Sequence, residues 1–179
     1  MGLSPVPLPE PARFCPRCAA PLEAPAATCP RDGYRWFSDP KVAVGVVIAD
    51  DAVPSRLLLV RRNHEPALGA WAFPSGYVDA GEVLEEAAAR EVSEEANVDV
   101  EVGALLGAWS EAANPVIFLA YAGRIRSGTP SPGPEASEVR WFASDALPPL
   151  AFDHDGEVVA AWRRHIARER STAGTEGAA

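Results

Sequence analysis

The segment from Gly76 to Val98 constrains the fold of this 179-residue chain more than any other stretch. From Glu82 to Ala96 it consists mainly of Ala, Glu, Leu and Arg, and it contains neither Pro nor Gly. These residue types favour a helix, and the glycines at positions 76 and 81 are typical of the loop before one. The segment therefore predicts a loop that leads directly into a helix.

Three carboxylates lie on one face of this predicted helix, because Glu91, Glu94 and Glu95 stand at positions i, i+3 and i+4. A separate apolar stripe, which runs from Leu84 to Val92, can be buried. Like charges at helical spacing repel one another, so the acidic face is either solvated or neutralised by a cation. Charge alone favours the solvated face, which is common on exposed helices.

The longer pattern around these carboxylates favours the cation. Gly76 is followed after five residues by Glu82, and seven further residues precede the run Arg90-Glu91-Val92-x-Glu94-Glu95-x-Asn97-Val98. This pattern resembles the Nudix box, Gly-x5-Glu-x7-Arg-Glu-U-x-Glu-Glu-x-Gly-U, in which U is apolar. Asn97 replaces the last Gly and is the single departure. We expect a left-handed backbone there, at the helix C-terminus, and Asn tolerates that conformation best after Gly.

The resemblance covers residues 41–170 and implies a Nudix domain, an α/β fold in which a mixed β-sheet lies between helices in an αβα sandwich. It implies hydrolysis of the diphosphate linkage in a nucleoside diphosphate joined to another moiety, such as ADP-ribose, NADH or a nucleotide sugar. A pyrophosphohydrolase for oxidised nucleoside triphosphates is one alternative. A catalytically idle Nudix-fold nucleotide sensor or binding module is another, although the intact set of glutamates argues against it. Residues 109–115 do not reproduce the Ser-Gln-Pro-Trp-containing segment of the NADH-hydrolysing branch.

The resemblance also implies a metal centre with one to three Mg²⁺ or Mn²⁺ ions. Glu91 and Glu95, one helical turn apart, are expected to be the principal ligands together with the backbone carbonyl of Ser75, and Glu94 a further ligand, directly or through water. Hard oxygen ligands suit these ions, which cancel the charge of a diphosphate and activate water. The general base is expected to be Glu94 or Glu135. The latter begins a segment that resembles the family's Glu-x-x-Glu-x-x-Trp-Phe, in which the first Glu approaches the metal.

Several residues are expected to support this centre. Glu82 pairs with Arg90 and so holds the loop that contains Gly76 on the helix. Residues 69–76 resemble the family's Gly-x-Trp-x-x-Pro-Gly-Gly approach, with Ser75 in place of the first of the paired glycines.

Arginines and histidines outside the box receive few assignments. Arg61 lies where members of the family often hold a substrate phosphate or a nearby loop, and a guanidinium suits that role. Arg62 and His64 are expected to be solvated residues at a strand end. No role is assigned to His154 or His165.

The N-terminal region contains the three cysteines of the chain, Cys15, Cys18 and Cys29. Asp32 stands where a second Cys-x-x-Cys pair would place a fourth cysteine. This spacing predicts a zinc-ribbon-like segment over residues 14–37, in which three cysteines and one carboxylate hold a structural Zn²⁺. A metal-free hairpin is the alternative. A similar ribbon precedes the Nudix domain in the NADH-pyrophosphatase branch and in related bacterial hydrolases.

The remaining segments complete the predicted organisation. Strands are expected at 42–48, 57–60, 100–108 and 116–121, and a last helix is expected to begin at Asp153 or Asp155. The Pro-rich arm of residues 1–13 and the tail of residues 171–179 are expected to be disordered.

Composition limits the partners. The chain has 16 Lys and Arg against 25 Asp and Glu, a net charge of −9, so no general attraction to nucleic acid or to an anionic membrane is expected. It has no run of 18 apolar residues and no N-terminal basic region followed by an apolar core. We therefore expect a soluble, cytoplasmic protein that acts on a small-molecule nucleotide. Homodimers are common in the family, but no residue locates an interface.

Overall fold

The computed structural model describes residues 12–22, 28–37, 39–53 and 55–176. The predicted disordered arm lies outside these residues, apart from its last two, and so do residues 177–179 of the predicted tail. The helices and strands, in chain order, are β1 Lys41–Ile48, β2 Arg56–Arg62, β3 Trp71–Ala72, β4 Ser75–Tyr77, α1 Leu84–Ala96, β5 Asp99–Ser110, β6 Val116–Ser127, β7 Ala136–Ala143 and α2 Asp155–Glu176.

The strands form two sheets. The first has the order β4-β1-β6-β5, and the second has the order β3-β2-β7. Strands β1 and β6 are parallel, from Lys41 opposite Val116 to Ile48 opposite Gly123, and the other pairings are antiparallel. The predicted mixed β-sheet is therefore confirmed.

The strands β1 and β2 are buried on both faces, because two hydrophobic cores lie on opposite sides of them. Val44 and Val46 of β1 pack with the apolar side of α1, whereas Ala43 and Val47 pack with α2. The same alternation holds in β2. A near-continuous apolar run is the expected sequence of such a strand. The two helices thus cover opposite faces, as the predicted αβα sandwich requires.

Helix α1 begins two residues later than its composition suggested, so Glu82 lies in the preceding loop. The helix ends at Asn97, whose φ of 54° and ψ of 38° are left-handed and whose backbone N–H donates to the carbonyl of Ser93. The expected conformation of the one departure from the Nudix box is confirmed.

Helix α2 is longer than predicted. It continues to Glu176, so the expectation of a disordered tail from residue 171 is wrong for residues 171–176. No proline interrupts this stretch, and the Thr172 hydroxyl donates to the carbonyls of Arg168 and Glu169, one turn earlier. At the other end, the Asp155 carboxylate accepts the backbone N–H of Phe152. No helix in the described part of the chain is long and apolar enough to cross a membrane.

Candidate active site

The acidic face of α1 adjoins a cavity of about 590 Å³, whose lining includes Ser75, Gly76, Glu91 and Glu94. Glu91 is only 8% exposed and Glu95 only 1% exposed, whereas Glu94 is exposed. A merely solvated acidic face is therefore excluded for two of the three carboxylates.

Glu95 carries a buried oxygen without a hydrogen-bond partner among the described residues. The backbone N–H of Ser75 donates to its Oε2 at 2.8 Å, but its Oε1 accepts no hydrogen bond. Burial raises the pKa of Glu95 to about 8, against the opposing effects of this hydrogen bond and of the charge on Arg62. A buried carboxylate with a free oxygen, close to a second carboxylate, fits a hard divalent cation, which would supply the missing partner.

Gly76 makes room for the carboxylate of Glu91. A Cβ atom at residue 76 would lie 2.1 Å from Cδ of Glu91 and 2.2 and 2.3 Å from its two oxygens. Gly76 lies opposite Val44 in the ladder between β4 and β1, so its backbone is held in the sheet. Burial raises the pKa of Glu91 despite its contact with Arg90. The first glycine of the box is thus required by close approach of a side chain.

Arg90 ties the helix to the loop before it. Its Nε and Nη2 donate to the two carboxylate oxygens of Glu82 at 2.8 and 3.0 Å, which is the expected ion pair. Its Nη1 donates to Glu91 at 2.8 Å and to Glu94 at 3.0 Å, and its Nη2 donates to the carbonyl of Tyr77. The hydrogen bonds that Glu82 accepts from Arg90 and from the backbone N–H of Asp79 lower the pKa of Glu82 to about 2. Arg90 is therefore fully engaged in positioning carboxylates.

The loop of residues 128–135 is fastened to the C-terminal end of α1. The backbone N–H of Gly133 donates to the carbonyl of Glu95 at 2.9 Å, and a Cβ atom there would lie 1.7 Å from the carbonyl oxygen of Glu94. The side-chain amide of Asn97 donates to two carbonyls of the loop at 3.2 and 2.9 Å. This attachment places Glu135, at the end of the loop, beside the cavity.

Glu135 lines the cavity with an exposed side chain. Its Oε2 lies 4.0 Å from Nε2 of His64. Its charge acts on both Glu91 and Glu95, so it belongs to the carboxylate side of the cavity. The residues that the sequence singled out and the structure brings together are Ser75, Gly76, Glu82, Arg90, Glu91, Glu94, Glu95 and Glu135.

Arg61 and Arg62 lie in different environments. Arg61 donates to Glu138 at 2.7 Å and to the carbonyl of Gly69 at 2.9 Å, and it is not among the described residues that line the cavity. Arg62 is only 6% exposed and lines the cavity, so the prediction of a solvated side chain is wrong. The pairing of β2 with β7 shifts register between these two residues. Arg62 nevertheless continues the alternation of β2, in which Leu58 and Val60 pack towards α1, so its side chain lies on the side of the carboxylates.

Arg62 is held by three contacts. Its Nε donates to the carbonyl of Pro66 at 2.8 Å, its Nη2 lies 2.8 Å from Nε2 of His64, and its guanidinium lies over the ring of Phe152 at 5.4 Å. Because arginine has only donors, His64 accepts through Nε2. His64, also expected to be solvated, is half-buried and lines the cavity.

His154 is a second cavity residue to which the sequence assigned no role. Its ring lies 4.6 Å from that of Phe118 in β6 and is stacked on that of Phe152 at 5.6 Å, with an interplanar angle of 2°. Burial lowers the pKa of His154, so its imidazole is neutral near pH 7. No local pattern signals this residue, because its partners in the cavity come from a distant strand.

The N-terminal segment brings Cys15, Cys18, Cys29 and Asp32 together, with their candidate ligand atoms all within 4.8 Å of one another. Two similar turns build this cysteine cluster. The carbonyl of Cys15 accepts from residue 19 at 2.8 Å, and the carbonyl of Cys29 accepts from residue 33 at 3.0 Å. The φ angles of residues 19 and 33, 56° and 71°, are both left-handed.

The donor groups of the cysteine cluster suit zinc. Cys15 and Cys29 are 2% exposed, as expected of thiols that point towards a shared centre. The backbone N–H of Tyr34 donates to Asp32 at 3.0 Å and lowers the pKa of that carboxyl to about 2, so it is ionised near neutral pH. Three sulfurs and an ionised carboxylate could together hold a metal ion, and cysteine sulfur and aspartate oxygen are both zinc ligands, although Cys3Asp is an unusual set for a structural site.

Comparison with known proteins identifies relatives of this chain. The NUDIX domain family matches residues 39–162. An ADP-ribose pyrophosphatase of Methanocaldococcus jannaschii is 36% identical over 126 residues, which cover 68% of this chain and 73% of that protein. An NAD-capped RNA hydrolase, NudC, of Stutzerimonas stutzeri is 32% identical over 145 residues, which cover 77% of this chain and 50% of that protein. The chain thus spans about half the length of this second relative.

Solved structures agree with this assignment. A NUDIX hydrolase from Nitrosomonas europaea superposes with a TM-score of 0.75 at 28% identity, covering 86% of this chain and 93% of that one. An ADP-ribose pyrophosphatase from Streptococcus suis superposes with a TM-score of 0.59 at 27% identity, covering 68% of this chain and 88% of that one. The chain therefore belongs to the NUDIX family, and the predicted αβα fold and the predicted class of enzyme, a Nudix pyrophosphohydrolase, are confirmed.

Proposed function

We propose that the chain is a divalent-metal-dependent hydrolase of the diphosphate linkage in a nucleoside diphosphate joined to another moiety, with ADP-ribose as the first candidate substrate. The observation that carries this proposal is the buried pair formed by Glu91 and Glu95, in which one oxygen of Glu95 lacks a partner. The named activity of the M. jannaschii relative supports the choice of ADP-ribose.

In this proposal Glu91, Glu95 and the carbonyl of Ser75 hold Mg²⁺ or Mn²⁺, with Glu94 as a further ligand. A bound divalent cation cancels phosphate charge and lowers the pKa of bound water. Arg90 and Glu82 position the carboxylates through the hydrogen bonds described above.

The proposed reaction is addition of water to one phosphorus atom, cleavage of the bridging P–O bond and release of two phosphate monoesters. Glu94 or Glu135 takes the proton of the attacking water, since both carboxylates are exposed at the cavity. Arg62 replaces Arg61 as the proposed contact for a substrate phosphate, because Arg62 lines the cavity and Arg61 is paired with Glu138.

A panel of substrates tests the proposal. Purified protein is incubated in Mg²⁺ and in Mn²⁺ with ADP-ribose, NADH, a nucleotide sugar, NAD-capped RNA and oxidised dGTP. Turnover of ADP-ribose is the expected result. Turnover of oxidised dGTP alone would support the triphosphate alternative, and inactivity on every compound would support an idle sensor.

A matched pair of variants tests the assignment of the metal ligands. Glu95→Gln replaces a carboxylate oxygen that would bind the metal by an amide group, and it should lower turnover at least about a hundredfold while the fold is kept. Glu86→Gln makes the same change at an exposed position of the same helix and should have no effect. Activity of Glu95→Gln equal to that of Glu86→Gln would reject the assignment.

We further propose that the cysteine cluster holds one structural Zn²⁺. The metal content of protein purified without added zinc is the measurement, and one ion per chain is expected. Cys15→Ser and Asp32→Asn should lower that content, whereas Asp39→Asn, at an exposed position outside the cluster, should not. A zinc-free protein before mutation would contradict the proposal.

A further inference from the structure

The cavity continues from the carboxylates to a second region, which we call the distal end. Its wall connects to the carboxylate side through ring contacts, because Phe152 packs against Arg62 on one side and against His154 on the other. We assign to the distal end the polar and aromatic lining residues Glu111, Asn114, Phe118, Phe152, Asp153 and His154.

The two regions of the cavity have separate charges. The charged side chains near Glu91 and Glu95 include Arg62, Arg90, Glu94 and Glu135. The charged side chains near His154 are the carboxylates of Glu111, Asp153 and Glu157. The charged groups of the distal end are therefore acidic.

Among the described residues, no Lys or Arg side chain forms an ion pair with Glu111 or Asp153. Nδ1 of His154 lies 3.9 Å from Oε1 of Glu111, but burial lowers the pKa of His154, so the imidazole is not a cation near pH 7. Glu157 differs from these two, because it accepts a hydrogen bond from the indole of Trp109 at 2.9 Å. Two exposed carboxylates thus remain as hydrogen-bond acceptors at the distal end.

Basic side chains are confined to the other region. Among the described residues that line the cavity, the Lys and Arg side chains are Arg62 and Arg90. Arg90 is hydrogen-bonded to Glu82, Glu91 and Glu94, and Arg62 is hydrogen-bonded to Pro66 and His64. Among the described residues, the distal end therefore offers two carboxylates, aromatic rings and the amide of Asn114, and the nearest Arg of the lining is Arg62, at the ring of Phe152.

We propose that Glu111 and Asp153 select the group that follows the diphosphate in the substrate. An uncharged or cationic group with hydrogen-bond donors, such as a sugar, is accepted. A further phosphate is rejected. Carboxylates accept hydrogen bonds from hydroxyl groups, and they repel phosphate oxygens at short range. Specificity of this kind depends on a repulsive element as much as on an attractive one. This inference rests on the proposed function and narrows its substrate class.

ADP-ribose and ATP form a matched pair for the test, because both contain adenosine diphosphate and differ in whether ribose or phosphate follows it. The ratio of their kcat/KM values is measured for the unmodified protein, for Glu111→Gln, for Asp153→Asn and for the double variant. Glu101→Gln, which makes the same charge change on β5 outside the cavity lining, is the control. If either compound is not hydrolysed, the dissociation constants of both compounds in Mg²⁺ are compared instead.

The unmodified protein should prefer ADP-ribose, and the double variant should lower that preference about tenfold, mainly by improving ATP. Glu101→Gln should change the ratio less than twofold. An unchanged ratio in the double variant, or a preference for ATP in the unmodified protein, would overturn the inference even if ADP-ribose is hydrolysed. Binding preference that responds to the two substitutions without any hydrolysis would instead reject the proposed function and keep the inference.

Discussion

Replacing Gly76 by Ala should inactivate the protein without unfolding it. The added Cβ would lie 2.1 Å from Cδ of Glu91, whereas ordinary contacts are 3.4–4 Å, so the carboxylate must move by more than about 1 Å. The obstructed group is the end of a flexible side chain, which can rotate away while β4 remains paired with β1. A displacement of about 1 Å in a catalytic group costs on the order of a hundredfold in rate.

The assay is kcat/KM for ADP-ribose as a function of Mn²⁺ concentration, together with the midpoint of thermal unfolding. Gly76→Ala should lose about a hundredfold in kcat/KM and should require more metal, with a small change in the unfolding midpoint. Gly156→Ala is the matched control, because no atom lies within 4 Å of the added Cβ and the residue is helical; it should keep full activity and gain about 0.5–1 kcal/mol of stability. Normal activity and metal dependence in Gly76→Ala would refute the steric argument.

Three further predictions concern other positions. Burial raises the pKa of Asp155 to about 7, so the folded protein keeps a proton that the unfolded chain releases above about pH 4, and stability falls from about pH 4 to 7. Asp155→Asn should remove this pH dependence, which amounts to up to about 4 kcal/mol of unfolding free energy at pH 7. The measurement is a denaturant titration of both proteins at a series of pH values, and an equal pH dependence in both would contradict the prediction. Asn97→Ala should destabilise the protein by about 1–2 kcal/mol in the same titration, because Ala is strained at φ 54° and cannot make the hydrogen bonds to the loop. Asn97→Gly should lose only the hydrogen bonds. Equal effects of the two variants would show that backbone strain is unimportant at residue 97. Glu82→Gln breaks the two-bond ion pair with Arg90 and should lower kcat more than it raises KM; an unchanged kcat would mean that Arg90 holds its position without it.

The sequence by itself indicated the reaction class, because the resemblance to the Nudix box rests on one local pattern, from Gly76 to Val98. Glu91, Glu94 and Glu95 share a face for any helix with 3.6 residues per turn, and the left-handed backbone at Asn97 follows from the end of that helix. Successive side chains of β1 enter the two cores in turn, which follows from the two-residue period of a strand and from its apolar run. These features depend on covalent spacing and regular geometry, which a sequence states directly.

Only the tertiary structure decided the shape and charge of the cavity. Arg62 lies on the same face of β2 as Leu58 and Val60, but its burial depends on contacts with Pro66, His64 and Phe152, which no strand pattern states. His154 packs against an aromatic ring on β6, and residue 76 must be glycine because the carboxylate of Glu91, fifteen residues away, occupies the space of a Cβ. These properties arise where segments distant in the chain meet, and the packing distances that create them are absent from any local pattern. The diphosphate chemistry is therefore readable from the helix, whereas the group that follows the diphosphate is selected by residues that the fold brings together.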